Sequence, residues 1–411
     1  MNTLSDYKEK IFNVLIILVW TQTILMQYVR AVFMRIPIIG AYPDLIIGMV
    51  YAAVIIFSLP YFKISIGDLV FLFVPSIVFL LEWMFYKEAS EYLDAYFVDF
   101  VLKILPLYVL GVNLSASENK DKIFHTIYIF SIVTLITNII YQYVFSAPMS
   151  EVESLYDGNM DLAYKLLPHC CFIAYHAVKK SNVWNVAFTV IGGFYLLMLG
   201  TRGAAIIYLI SIAVFLIIGQ TAKGKMARII VIFGAVSAFF ASPLFYKFIL
   251  WMYNKAQSFG LSVRIFEKLI SGTVFESSGR DAIRETLLSS IKNNPFFGYG
   301  ICSDRVIAGS YAHNVVIELW VEFGVIIGTV LFIAAAVLIL RGFLNCRNDY
   351  EKGFILSLIF ASFFKLFLSG SYLDERLLFL LLGMCAYNIR KNKLDSMYSL
   401  ITNNFVTKQA K

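Results

Sequence analysis

The sequence predicts an all-α polytopic membrane protein, and two observations carry that prediction. Hydrophobic residues make up 60% of the 411 residues and charged residues only 15%, with a mean hydropathy of +0.76, whereas soluble domains are far more polar. Apolar runs of about 20 residues, enough to cross the ~30 Å hydrocarbon core of a bilayer, recur along most of the chain. Because these runs are continuous rather than alternating, a β-barrel is disfavoured.

The apolar runs predict about twelve transmembrane helices within a single membrane domain over residues 1–411. A long segment, 247–312, separates the ninth run from the tenth and is predicted to lie outside the bilayer. The predicted spans are 11–30, 41–60, 66–86, 95–115, 123–146, 161–178, 183–200, 203–220, 227–246, 313–341, 353–370 and 373–389.

The charges between the spans are asymmetric. Lysines and arginines are concentrated at 120–122, 179–180 and 390–393, whereas the loop at 88–94 is acidic. By the positive-inside rule the basic segments are cytoplasmic. Both termini are therefore predicted to be cytoplasmic, and the long loop 247–312 is predicted to face outward.

The net charge of +7 follows from this topology, except for the basic residues of the outer loop, 247–312. Loops of this length are not oriented by their charge, so their basic residues need another role, such as binding an anionic substrate. Helical spacing of apolar residues predicts two helices in the loop, at 281–292 and 263–270. The loop's basic residues are Lys247, Lys255, Arg264, Lys268, Arg280, Arg284, Lys292 and Arg305.

Arg202 stands in a short outer connection, Gly200-Thr201-Arg202-Gly203, directly before a predicted helix. The free N–H groups and the dipole of a helix N-terminus favour an anion, and the flanking glycines let a phosphate approach the backbone. The alternative is an arginine that extends along the apolar surface to reach the water interface.

Arg280 and Arg284 lie one helical turn apart at the start of the predicted helix 281–292. Guanidinium groups match phosphate oxygens in a bidentate geometry, which makes both residues candidates for phosphate binding. The alternative is a surface of i,i+4 salt bridges, in which Asp281 and Glu285 pair with the two arginines.

His313 follows Tyr311 and Ala312 at the outer end of the tenth predicted span. A histidine at a membrane–water boundary suits a general base, because its pKa ordinarily lies near neutrality. The alternative is a lone interfacial polar group. Glu318 and Glu322 follow on one helix face, and a straight helix would place Glu322 about 13 Å along its axis. Carboxylates inside membrane spans are functional candidates.

Three further features complete the outer face. Gly324 and Gly328 form a small-xxx-small pattern, which predicts helix packing rather than chemistry. Arg376, in the last outer turn, either joins the same outer cavity or pairs with Asp374 or Glu375. The four histidines and five cysteines show no metal-ligand or disulfide spacing, so no metal site is predicted.

Three of these segments, in this order, resemble the bacterial O-antigen polymerase and O-antigen ligase superfamily of membrane glycosyltransferases. They are LGTRGAAIIYLI at 199–210, SSGRDAIRETLLSSIKNNPFFGYG at 277–300 and AHNVVIELWVEFGVIIG at 312–328. The family pattern places a histidine and a polar neighbour nine residues before a glycine pair. Here Gly324 stands at that distance, but Gly328 lies one position later than the second glycine of the ligases. The resemblance covers roughly residues 185–390.

The resemblance implies a GT-C-like helical fold in the bacterial cytoplasmic membrane. It implies donor and acceptor glycans linked to undecaprenyl diphosphate, with no metal, cofactor, nucleotide sugar or nucleic acid. Arg202 and Arg280 would bind the donor diphosphate, and His313 would help to activate the acceptor hydroxyl. A chain-length regulator and a flippase of the same pathway are candidate protein partners. Further substrate contacts are predicted at Arg264, Arg284, Arg305, Tyr311, Asn314, Glu318 and Arg376.

The choice among related functions rests on weaker signals. The altered glycine spacing and the tyrosine-rich outer segments, in a chain with 25 tyrosines, favour a repeat-unit polymerase over a ligase. A lipid-linked oligosaccharide transporter is the alternative from another class. Transporters tend to show repeated halves and broken helices at the midplane, whereas this chain shows no halves and gathers its polar residues at one face.

Overall fold

The computed structural model describes most of the chain, and this part is helical, with no β-strand. The all-α prediction is therefore confirmed for the described residues, which are 10, 13–21, 49, 62–140, 155–180, 182–199, 201–218, 243–258, 263–271 and 279–409. The helices are α1 Ile66–Phe85, α2 Ser90–Asp99, α3 Leu105–Ala116, α4 Lys120–Ile140, α5 Leu155–Lys179, α6 Val183–Met198, α7 Arg202–Ile218, α8 Pro243–Ser258, α9 Arg264–Ile270, α10 Arg280–Asn293, α11 Ser303–Ala308, α12 Val315–Asn345, α13 Asp349–Leu358 and α14 Arg376–Gln409.

Short segments of other helical geometry join some of these elements. A π-helical segment, Phe100–Ile104, connects α2 to α3 without a break. A second π-helical segment, Ile359–Phe364, continues α13 and is followed by a 3₁₀ turn, Lys365–Phe367. Segments of π-helix and 3₁₀-helix often occur where an α-helix is interrupted. The segment Ile359–Phe367, which combines both, ends beside the candidate site described below.

Four helical stretches among the described residues are long and apolar enough to cross a membrane, namely Ile66–Phe85, Lys87–Ala116, Lys120–Ile140 and Val315–Asn345. Helices α6 and α7 are apolar but shorter. The protein is thus a multi-pass membrane protein. The predicted spans 11–30, 41–60 and 227–246 fall mostly outside the described residues, so the count of about twelve stays a prediction, as does the GT-C-like fold.

The outer loop is helical over much of its described length. Helix α10 confirms the helix predicted at 281–292, and α9 confirms the one predicted at 263–270. The loop also contains α11 and most of α8, which the spacing of apolar residues does not reveal. Gly279, with φ of 81°, starts α10 from a left-handed conformation that glycine adopts without cost.

The chain forms two compact units, each discontinuous in sequence. The first comprises Met1–Ser58 and His125–Ser278, and the second comprises Leu59–Phe124 and Gly279–Lys411. In the first unit α5 packs against α6 and α7, and α8 packs against α9 around the buried side chain of Phe266. The single membrane domain predicted over 1–411 stays a prediction.

The second unit is built on close helix crossings. Helix α14 packs against α3, where a Cβ added to Gly111 would lie 3.1 Å from the backbone nitrogen of Met384. A Cβ added to Gly383 would similarly lie 3.0 Å from the backbone nitrogen of Val112. Helix α12 also packs against α14, with Gly342 facing Cys385. Glycines here let backbones approach closely, which is how helices associate in a lipid environment.

Helix α12 is broken at Gly324, whose φ of 77° and ψ of 164° are not helical. Beyond the break the chain turns back on itself, because a Cβ added to Gly328 would lie 2.5 Å from the carbonyl oxygen of Leu319. The indole of Trp320 also donates to the Thr329 hydroxyl at 2.9 Å. The interpretation of Gly324 as a helix-packing glycine is therefore wrong. The estimate of 13 Å for Glu322 stays a prediction, because the break follows Glu322 and the chain is helical from Val315 to Phe323.

The turn that follows α10 fills this break. Tyr299 and Gly300 donate their backbone N–H groups to the carbonyls of Val321 and Glu322, at 2.8 and 2.9 Å. A broken helix leaves backbone groups without partners, and in a membrane each such group costs several kcal/mol, roughly, unless protein satisfies it. This contact needs Gly298, since a Cβ there would lie 2.5 Å from the backbone nitrogen of Gly324.

Candidate active site

His313 lies in the turn between α11 and α12 and has a left-handed backbone, with φ of 54°. This conformation is uncommon for a residue with a Cβ and is found at strained functional positions. The ring centroids of Tyr311 and His313 are 3.9 Å apart. Asn314 begins α12, and its side chain accepts the backbone N–H groups of Val316 and Ile317 at 3.0 and 3.3 Å. His313 is thus held directly before a capped helix.

The imidazole of His313 is partly buried, and its Nδ1 atom has no hydrogen-bond partner among the described residues. Burial and the nearby positive charge of Arg280 lower the pKa of His313 to about 4. The ring is therefore neutral at pH 7, which is the form that accepts a proton. A buried nitrogen without a partner is also a group that a bound hydroxyl would satisfy.

Arg280 is the first residue of α10, and one of its guanidinium nitrogens donates to the carbonyl oxygen of Leu368 at 2.6 Å. The amide of Asn314 donates to the neighbouring carbonyl of Phe367 at 3.5 Å. Both contacts fall where the interrupted helix after α13 ends, so the end of that helix lies beside both residues. The structure therefore brings Arg280 and His313, predicted from separate motifs, into one site.

Arg202 is the first residue of α7, as predicted, and lies in the other unit. The preceding Thr201 is only 5% exposed, and its hydroxyl has no partner among the described residues. A Cβ at Gly203 would collide with the hydroxyl of Tyr164, so this glycine is needed for the close approach of α5. A buried, unsatisfied hydroxyl at a helix N-terminus suits an anion. Joint action of Arg202 with Arg280 stays a prediction.

Arg305 is buried in a network of charged and polar groups directly behind His313. Its NH1 atom donates to Asp304 at 2.6 Å and to Glu318 at 3.0 Å, and NH2 donates to Ser371 at 2.6 Å. The guanidinium also lies 4.9 Å from the centre of the Tyr96 ring. The surrounding carboxylates raise the pKa of Arg305 above its ordinary value. The guanidinium is therefore charged, and both of its terminal nitrogens bind protein groups, whereas its Nε atom has no hydrogen-bond partner among the described residues.

The two glutamates of α12 are fully enclosed in the same network. Glu318 accepts from the Ser371 hydroxyl and from the backbone N–H of Tyr372. Glu322 accepts from the backbone N–H of Cys302 at 2.8 Å and from the Tyr372 hydroxyl at 2.5 Å. Both carboxylates thus bind protein groups, and they join α12 to the start of α11 and to the last outer turn.

Two further predicted substrate contacts, Arg284 and Arg264, lie in different units of the chain. Arg284 is exposed on α10, and no ion pair joins it or Arg280 to Asp281 or Glu285, all four of which the structure describes. The interpretation of these charges as a salt-bridged surface is therefore wrong. Arg264 is the first residue of α9.

Arg376 pairs with a residue far away in the sequence. One of its guanidinium nitrogens lies 3.8 Å from a carboxylate oxygen of Asp99. The predicted partners bind elsewhere, since Glu375 pairs with Lys365 at 2.5 Å and Asp374 accepts from the Tyr96 hydroxyl at 3.3 Å. The predicted pairing of Arg376 with its neighbours is thus wrong, because Lys365 and Tyr96 take up the two carboxylates.

Asp304, Glu318 and Glu322 place carboxylate oxygens within 4.8 Å of one another, a separation that a metal ion could bridge. In this structure NH1 of Arg305 lies among them, and its positive charge takes the place that a cation would fill. The described residues also form a polar cavity of about 110 Å³ beside the other end of α12, lined in part by Lys120, and it contains none of the predicted site residues.

Sequence reasoning missed Asp304, Ser371 and Tyr372 as parts of the site. Asp304 directly precedes Arg305, and adjacent opposite charges in a segment that ends at a membrane helix are a usable signal for a buried pair. Ser371 and Tyr372 carry no such signal, because their role depends on how the last outer turn folds against α12.

Comparison with known proteins finds a family match over part of the chain. Residues 187–333 match the family model described as O-antigen ligase. The match includes Arg202, Arg280, Arg305 and His313, and it ends within α12. No curated protein and no solved structure matches the chain.

Proposed function

We propose that this chain is a polysaccharide repeat-unit polymerase, and the match of residues 187–333 to the family model described as O-antigen ligase supports this proposal. The family indicates a membrane enzyme that resembles glycosyltransferases. In our proposal the substrates are oligosaccharide repeat units linked to undecaprenyl diphosphate. The reaction takes place at the outer face of a bacterial cytoplasmic membrane, with both termini of the chain on the cytoplasmic side.

The proposed reaction is an inverting displacement. The acceptor hydroxyl oxygen attacks the anomeric carbon of the donor sugar, and the bond from that carbon to the diphosphate oxygen breaks. The hydroxyl proton passes to a ring nitrogen of His313, and the electron pair of the broken bond leaves with undecaprenyl diphosphate. Arg280 and Arg202 stabilise the negative charge on the leaving diphosphate, and positive groups placed where charge develops lower the barrier.

One observation carries this proposal more than any other. His313 is neutral, its Nδ1 lacks a partner among the described residues, and Arg280 lies close enough to lower the pKa of the ring. A neutral base beside a guanidinium is the pair that an acceptor hydroxyl and a diphosphate leaving group require. The buried hydroxyl of Thr201 beside Arg202 supports a second anion contact at the N-terminus of α7.

The test uses purified protein in liposomes supplied with lipid-linked repeat units. Arg202→Ala, Arg280→Ala and His313→Ala are each expected to reduce chain extension by at least about 10²-fold, the usual size of a lost transition-state interaction or general base. Product length is measured by gel electrophoresis. Arg347→Ala is the matched control, because Arg347 is exposed beyond the far end of α12, and it should extend chains normally.

The outcome distinguishes the proposal from its alternatives. Long polymer from all three variants would defeat it, and movement of lipid-linked units across the bilayer without polymer would indicate a transporter. The matched family model is described as O-antigen ligase, which makes a ligase the second candidate. A ligase would transfer finished chains to a lipid acceptor, so cells lacking the protein would accumulate polymer, rather than single repeat units, on the carrier lipid.

A further inference from the structure

We propose that Asp304 and Arg305 are positioning residues that hold His313 in its left-handed conformation from inside the protein. The two residues do not contact substrate in this proposal, although Arg305 and Glu318 are predicted from the sequence as substrate contacts. The importance of the position of His313 for glycosyl transfer rests on the proposed function. The hydrogen bond from Ala312 to Asp304, which holds the turn before His313, does not depend on that function.

Asp304 supplies the direct link. Its Oδ2 atom accepts the backbone N–H of Ala312 at 2.9 Å, and Ala312 immediately precedes His313. Its Oδ1 atom accepts from the backbone N–H and from NH1 of Arg305, at 2.9 and 2.6 Å. Asp304 is fully buried. One carboxylate thus ties α11 to the turn that presents the imidazole.

Arg305 makes this link possible by compensating the charge of Asp304. A buried carboxylate without a cationic partner is strongly disfavoured, and removing one partner of a buried pair leaves the other uncompensated. The guanidinium is 4% exposed and binds Asp304 and Glu318 through NH1 and Ser371 through NH2. Its planar fork therefore fixes three segments of the second unit at once.

The conformation of His313 is constrained on both sides. The N–H of Ala312 is bound by Asp304 before it, and Asn314 caps α12 after it. A residue with a Cβ keeps a left-handed backbone conformation only where contacts with the surrounding structure hold it there. The backbone N–H of Glu318 also bonds to the carbonyl of Asn314 at 2.9 Å. Release of either side would let the turn relax and move the ring out of its partly buried place beside Arg280.

The same network reaches the contacts of Arg280. Ser371 and Tyr372 belong to the same turn as Leu368, from which Ser369 and Gly370 separate them, and the carbonyl of Leu368 accepts from Arg280. Arg305 and Glu318 therefore fix the segment on which Arg280 rests as well as the turn that carries His313. In this arrangement the two terminal nitrogens of Arg305 bind groups of the protein rather than substrate.

The test measures the pKa of His313 directly, by NMR of protein labelled at its four histidines, with His313→Gln to identify the signal. The charged and titratable groups facing the ring are Arg280 and Tyr311. In Asp304→Asn the side chain keeps its size but cannot accept from Ala312 and Arg305 together. The ring should become exposed, and its pKa should rise from about 4 toward 6.5.

The same variant should also lower the kcat of chain extension by about 10²-fold, the cost of a misplacement of roughly 1 Å, with KM little changed. Arg305→Lys keeps the charge and loses the fork, and it provides a second variant should Asp304→Asn fail to fold. It should raise the pKa of His313 by a smaller amount. Partial rescue of this kind distinguishes positioning from a general loss of stability.

Glu351→Gln is the matched control, because Glu351 is a buried carboxylate paired with Lys120 at 2.5 Å in the same unit, beyond the far end of α12. It should leave the pKa of His313 at about 4. A pKa that stays at about 4 in folded Asp304→Asn or Arg305→Lys protein would overturn the positioning role. If the pKa moves as expected but wild-type protein makes no polymer, the proposed function fails and the positioning role stands.

Discussion

His313 combines three properties that rarely coincide in one residue. Its backbone is left-handed, its Nδ1 has no partner among the described residues, and its pKa is lowered to about 4 by burial and by Arg280. Because the pKa in the folded protein lies below the ordinary value of 6.5, the neutral ring contributes stability that is complete above pH 6.5. This stability is lost as the pH falls through about 4. The site is thus prepared for a base that stays neutral well below pH 7.

The charge of Arg280 accounts for part of this shift, which gives a prediction at the scale of one residue. Arg280→Gln removes a positive charge beside the ring, so protonation becomes easier and the pKa of His313 should rise above about 4, by up to roughly one unit for a partly solvated contact. Histidine NMR measures the change.

Arg284→Gln is the control for this measurement, since Arg284 lies on the same helix, is exposed and makes no ion pair with its neighbours on α10. Its replacement should leave the pKa of His313 unchanged. Equal shifts in both variants would mean that the general positive charge of α10, rather than Arg280 itself, acts on the ring.

At the scale of the element, the break in α12 positions the site. In a continuous helix the carbonyls of Val321 and Glu322 would bond to N–H groups four residues later and could not accept from the turn after α10. The left-handed Gly324 instead ends the first segment after Glu322, and the turn after α10 enters the gap. The broken helix thereby acquires partners for its free carbonyls and brings α10, with Arg280 at its start, against the segment that begins after His313.

Two left-handed glycines allow the role of this break to be separated from backbone strain. A Cβ at Gly324 would lie 2.5 Å from the carbonyl carbon of Phe296, whereas a Cβ at Gly309 would meet nothing within 4 Å. Gly309→Ala should therefore cost only the left-handed penalty of about 1–2 kcal/mol. Gly324→Ala should cost more, because the turn after α10 must also move. Thermal unfolding in detergent measures both, and equal losses would contradict the packing role of Gly324.

At the scale of the whole molecule, the described residues of the second unit place two polar clusters at separate ends of α12. His313, Arg280 and the Arg305 network lie at one end. Lys120, Glu351 and the polar cavity lie at the other. Charge asymmetry predicts that the first end faces outward and the second faces the cytoplasm.

Cysteine labelling tests this orientation. All five native cysteines are buried, so they should react slowly with a membrane-impermeant thiol reagent. In intact cells Arg284→Cys should be labelled, because α10 is predicted to be outside. Arg347→Cys, whose side chain is 74% exposed in the wild type as arginine, should be labelled only after the membrane is permeabilised. The reverse pattern would invert the proposed topology and exclude catalysis at the outer face.

Local patterns were sufficient for several features of the fold. The apolar runs predicted membrane helices, and the helices at 281–292 and 263–270 were confirmed as α10 and α9, because periodicity and terminating residues are local properties. Arg280 and His313 were both selected from the sequence as site residues, and the structure places Arg280 close enough to act on the His313 ring, while their roles stay predictions.

The errors share one physical cause. Gly324 was interpreted from its spacing as a packing glycine, but its φ of 77° depends on the turn that enters the break. Arg376 was expected to pair within its own turn, but Asp99, from α2, lies closer to its guanidinium. Spacing along a chain does not report which distant group satisfies a charge or a carbonyl in a medium without water.

The amino-acid sequence was enough to establish a helical membrane protein with basic residues and one histidine gathered in its long loop and at the helix that follows. Hydrophobicity, charge and helical period act over a few residues and can be read locally. Only the tertiary structure revealed that Arg305 donates a hydrogen bond to Glu318, and that Asp304 holds the turn before His313. Those roles follow from burial, because a charge removed from water must find its partner wherever the fold places one.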